Sequence, residues 1–148
     1  MKPSHVRARI LKDHAALRRH LIELEEATEA MLVDGARISK VSELATQLIA
    51  DLVRHTELED TILAPALMEL DAWGQIRAEQ LLLHHQHQRA YMVELSDLFD
   101  LEARPLQIAR ATYTLIADLR ADMEHEERDM LSADLLRDDV IAVAAECS

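Results

Sequence analysis

The chain has 148 residues, 49% of them hydrophobic but only 3% aromatic, with two glycines and three prolines. That length suits one domain burying roughly two-thirds of its unfolded surface, and the composition favours helices around an aliphatic core over sheet. The formal net charge of −12 argues against an extended nucleic-acid or anionic-membrane surface.

The first helical pattern runs from about Val6 to Leu32, with Ile10, His14, Leu17, Leu21 and Leu24 spaced by three or four. It should stop at Asp34-Gly35, where glycine supplies a C-terminal break. The second begins near Ser39 and carries Val41, Leu44, Leu48, Leu52, His55, Glu59 and Ile62 on one stripe. Its expected end is Ala64-Pro65, because proline cannot continue the ladder without cost. A third spans about Asp71 to Leu101, with Leu81, His84, Tyr91, Leu95 and Leu98 on its apolar face. Pro105 fits the first turn of the fourth, which continues through Ile108, Ala111, Leu115, Leu119, Asp122, His125 and Asp129. Ser132 then caps a short C-terminal helix or tail.

Four such helices with short connections predict an all-α, up-down-up-down four-helix bundle at about 7–131, within a single domain over 1–148. An extended coiled-coil dimer is the weaker alternative, since the patterns break too often. Cys147 is the one cysteine, so an internal disulfide is excluded and thiolate metal ligation is implausible. No apolar run suits a signal peptide or a membrane span, which makes a cytoplasmic protein the expectation.

His14, His55, His84 and His125 each interrupt an apolar stripe, one per predicted helix. His55 is followed at i+4 by Glu59, and His125 by Asp129. Either pair alone would be an ordinary surface pair. Six ionisable groups on four inward faces are costly without partners, and an antiparallel bundle brings them to a common level. Imidazoles and carboxylates suit iron or manganese, with zinc possible. The set then reads as four terminal nitrogen ligands with Glu59 and Asp129 as bridges. Alternatives stay open in two places. In LLLHHQHQ, His84 fits the stripe, His85 points about 100° away and His87 is a possible substitute ligand. In MEHEERDM, Glu126 and Glu127 compete with Asp129.

The motifs HTELEDTILAP and HEERDML, with His14 in ILKDHAAL and His84 in LLLHHQHQ, resemble the haemerythrin-like, HHE cation-binding family. The resemblance implies two iron ions joined by an oxo or hydroxo bridge, with manganese or zinc as second choices. It also implies a site that binds, senses or reduces oxygen, peroxide or nitric oxide in a redox or nitrosative stress response. Iron storage or delivery, iron-centre repair in company with an iron-protein or signalling partner, and a structural bundle are the alternatives. Gln88 stands where the oxygen carriers of the family have another histidine, which brings the ligand pattern closer to iron–sulfur-cluster repair proteins and argues against oxygen carriage. No role follows from the sequence for Asp118 and Asp122.

Overall fold

The computed structural model describes residues 1–139. The protein is an all-α bundle whose helices follow the predicted order: α1 (Pro3–Val33), α2 (Ile38–Leu58), a short α3 (Ala64–Met68), α4 (Gly74–Asp100) and α5 (Pro105–Asp129). The chain of α2 and α3 forms one arm, and α1, α4 and α5 are the other three. α1 packs on α2 and α5, and α4 packs on α3 and α5, closing the ring. Among the described residues, no helix is long and apolar enough to cross a membrane.

The first break falls where expected. Asp34 ends α1 in an extended conformation, and its carboxylate accepts from the Ala36 amide to start a single 3₁₀ turn at Gly35–Arg37. Pro65, by contrast, does not end the second arm. Residues Glu59–Leu63 form a π turn in which the Ala64 amide donates to the Glu59 carbonyl, five residues back. That wider turn admits Pro65 into the first turn of α3, where its missing N–H leaves no helical bond unmade. The arm therefore runs on to Met68.

α4 starts three residues later than Asp71. Asp71 instead accepts from the amide of Trp73 and from the Arg77 guanidinium, holding the turn that precedes the helix. Gly74 opens α4 against α3, where a β-carbon would collide with the Leu67 carbonyl. At the far end, Ser132 caps one turn by accepting from the Leu135 amide. The rest of the expected C-terminal helix, with Cys147, lies outside the described residues.

Two apolar cores fill the bundle. The larger joins Leu17, Leu21, Leu24, Leu48, Leu95, Ile108, Leu115 and their neighbours. The smaller joins Val6, Ile10, Leu63, Leu67, Leu81, Met130 and Leu136. Between them in sequence, on each of the four arms, comes a buried polar residue: His14, His55 with Glu59, His85 with Gln88, and Glu126. A polar layer thus separates two aliphatic ones.

Candidate metal centre

His14 is fully buried, one step along the α1 stripe from Ile10 and Leu17. His55 ends the α2 stripe, and Glu59 opens the π turn one helical turn later with no exposed surface. The His14 and His55 rings stand 5.0 Å apart between centroids. Glu126 enters from α5 and is 1% exposed. One possible ligand atom from each of His14, His55, Glu59 and Glu126 lies within 4.8 Å of all the others.

The partners of these groups fix where their free atoms face. His55 Nδ1 lies 2.7 Å from Asp13 Oδ2, and its Nε2 lies 2.7 Å from Glu59 Oε1. His14 turns Nδ1 to Glu127 Oε2 at 3.2 Å, and Arg18 grips the same carboxylate. Its Nε2 faces Glu126 Oε1 at 3.4 Å without hydrogen-bond alignment. Carboxylates behind imidazoles orient them and raise their basicity toward an ion in front. Three inward atoms are left without partners: His14 Nε2, Glu59 Oε2 and Glu126 Oε1. Buried lone pairs and carboxylates of this kind are costly in an aliphatic core. A hard or borderline cation among them would supply the missing partner, and the donor set suits iron, manganese or zinc.

The electrostatics agree. Burial opposes charge on His55, but its bond to Glu59, the Glu59 charge and Asp13 outweigh it and raise the imidazolium to about 9. Burial likewise opposes charge on Glu59, and hydrogen bonds from His55 and His85 overcome it, holding the carboxyl well below the usual range. Without a metal, a proton on His55 therefore provides the positive charge that the carboxylates require.

A second group adjoins the first. His84 Nδ1 lies 3.1 Å from Glu126 Oε2, so the two Glu126 oxygens face different histidines, His14 and His84. His84 and His125 stand 5.1 Å apart in an edge-on arrangement. His84 Nε2 is 3.8 Å from Asp122 Oδ1. His125 Nε2 lies 3.0 Å from Asp129 Oδ2, near the surface.

Of the six residues singled out in the sequence, His14, His55 and Glu59 meet directly, and His84 and His125 stand beside them across Glu126. Asp129 is not drawn in. Its carboxylate is exposed and holds Arg128 through both oxygens, which lowers its pKa. The reason is helical phase. Leu119, Asp122 and His125 are successive three-residue steps, each falling about 60° short of a full turn, so that stripe rotates off the core. The buried stripe instead runs through Leu119, Met123, Glu126 and Met130.

His85, expected about 100° from the stripe, faces the interior. It is 4% exposed, with Nε2 3.4 Å from Glu59 Oε1. Its Nδ1 stands 3.1 Å from Asp60 Oδ1 but lacks hydrogen-bond alignment. The inward face of α4 follows Leu81, His85, Gln88, Met92 and Leu95, an alternating 4-3-4-3 spacing that its two polar members hide from hydrophobic periodicity. His87 is exposed.

Residues 5–133 match the hemerythrin HHE cation binding domain, and the chain belongs to that family. It is also similar to the glutamyl-tRNA reductase of Saccharophagus degradans, at 23% identity over 129 residues. That similarity covers 83% of this chain and 30% of the reductase, so the chain spans under a third of that relative's length. No solved structure matches.

Proposed function

We propose that the buried cluster binds a pair of iron ions and that a small ligand, oxygen, peroxide or nitric oxide, reaches them. One half of the site would be His14, His55 and Glu59, and the other His84 and His125. Glu126 is the proposed shared carboxylate in place of Asp129, which would orient His125 from the rim. The observation that carries this reading is Glu126 itself: a fully buried carboxylate with one oxygen turned to His14 and the other to His84. A carboxylate placed that way could be shared by two ions. Iron held there would supply redox chemistry, while Asp13, Glu127 and Arg18 orient imidazoles and the two aliphatic cores exclude bulk solvent. The biological setting we favour is a redox or nitrosative response in the cytoplasm, with iron handling as the second reading.

Anaerobic loading with ferrous iron followed by oxidation tests this. Uptake of about two irons per chain, with a coupled ferric pair in the Mössbauer spectrum, is expected. A single ion per chain, with zinc preferred, would sink it.

A further inference from the structure

Beside the cluster, α1, α2, α4 and α5 enclose a cavity of about 10 Å³, close to the space one water molecule needs. Leu17, Leu52, Met123 and other aliphatic side chains form most of its wall, and His55, Gln88 and Glu126 are its polar members. Neither His55 nor Glu126 offers a donor to that space. Both nitrogens of His55 face carboxylates. Glu126 presents only oxygens.

Gln88 is 3% exposed, and its Nε2 donates to Asp122 Oδ2 over 2.9 Å. A carboxylate accepts and does not donate, so the amide nitrogen must be the atom facing Asp122. That leaves Gln88 Oε1 buried with no partner. A buried carbonyl beside a water-sized space calls for a donor.

We propose that this cavity is a binding site for a small ligand carrying its own proton, with one oxygen atom in the cavity and its O–H donated to Gln88 Oε1. Water, hydroxide and one end of hydrogen peroxide have that chemistry. Oxygen, nitric oxide and fluoride do not, and leave the carbonyl oxygen without a donor. Gln88 is therefore a specificity determinant that favours protonated oxygen ligands over diatomics without a donor. The selectivity half of the inference rests on the iron reading above; the occupancy half does not.

Two measurements decide it. In the metal-free full chain, NMR should show magnetisation transfer from a long-lived water to the Met123 methyl, and a dry cavity there would refute occupancy. In the ferric protein at fixed pH, fluoride serves as a one-atom ligand with no proton. Gln88→Met keeps the side-chain length and removes the acceptor, and it should bind fluoride roughly tenfold more tightly than the parent. Unchanged or weaker fluoride binding would refute the selectivity. If Gln88→Met does not fold, the water measurement on the parent chain still decides occupancy, and Gln88→Leu replaces it for fluoride. Failure to take up iron would count against the proposed function and leave the water result standing.

Discussion

The two histidine pairs have nearly the same ring separation and very different surroundings. His14 and His55 are sealed in, and each has a carboxylate behind its Nδ1. His84 and His125 keep side-chain exposures of 16% and 29%, and His125 Nδ1 has no partner at all. One half is sealed from bulk solvent and tightly oriented, and the other is open to it. Affinity should therefore concentrate in the first and access in the second, because preorganised ligands lose less freedom on binding.

Removing the residue common to both halves should have the largest effect. Glu126→Ala is expected to weaken metal binding more than a hundredfold and to abolish any coupled-pair spectrum, since it takes one oxygen from each half. His125→Ala is the contrast: it should reduce uptake from about two ions per chain to about one and spare the ion on the His14 side. Metal titrations followed by mass spectrometry separate the two outcomes. Equal losses in both variants would show that the halves do not differ as their burial indicates.

The next effect is the proton that holds the place of the metal in the sealed half. His55 is raised to about 9 from an ordinary 6.5. Its contribution to the stability of the metal-free protein is therefore fully present below 6.5 and lost as pH rises through about 9. Metal binding runs the opposite way, because the ion must displace that proton. Affinity should fall by about tenfold for each pH unit below 9 on account of this group alone. Calorimetry in buffers of different ionisation enthalpy would count the proton released at neutral pH. No release, with a flat affinity profile, would show that His55 is neutral before the metal arrives.

The same contrast explains what could be read from the sequence. α1 and α2 keep hydrophobic residues on both sides of His14 and His55, so the stripe brackets the ligands and gives their direction. The HxxxE spacing then places Glu59 by helix geometry alone. On α4 and α5 the inward face itself turns polar, through His85, Gln88 and Glu126, and the apolar markers stop just where direction must be decided. Hydrophobic periodicity cannot separate His84 from His85 under those conditions, since they lie about 60° and 40° to either side of Leu81. The charge run MEHEERDM likewise offers no apolar marker to choose among Glu126, Glu127 and Asp129. The π turn was hidden too, because Pro65 reads as a stop and not as a residue the helix widens to admit.

The smallest expected effect lies on the open half. Asp118 and Asp122 are one turn apart on α5, and Asp122 is already engaged by Gln88 and faced by His84. Partial burial comes first, followed by the Asp122 charge, and together they raise the Asp118 carboxyl to about 6 from an ordinary 3.8. One Asp118 oxygen is buried without a partner. A carboxyl whose pKa is raised on folding binds its proton more tightly in the folded chain. It therefore costs stability as pH rises from about 4 through about 6, and the cost is constant above that. Asp118 is only partly buried, so solvent screening should leave a penalty on the order of half a kcal/mol. Asp118→Asn should remove it, raising the metal-free protein's stability to urea at pH 7 and leaving it unchanged at pH 3.5, where the parent carboxyl is already protonated. A gain of equal size at both pH values would mean the amide improves packing or hydrogen bonding and the Asp118–Asp122 repulsion is negligible. A loss at pH 7 would mean that the charged carboxylate is needed where it stands, next to His84 and Asp122 on the accessible side of the cluster.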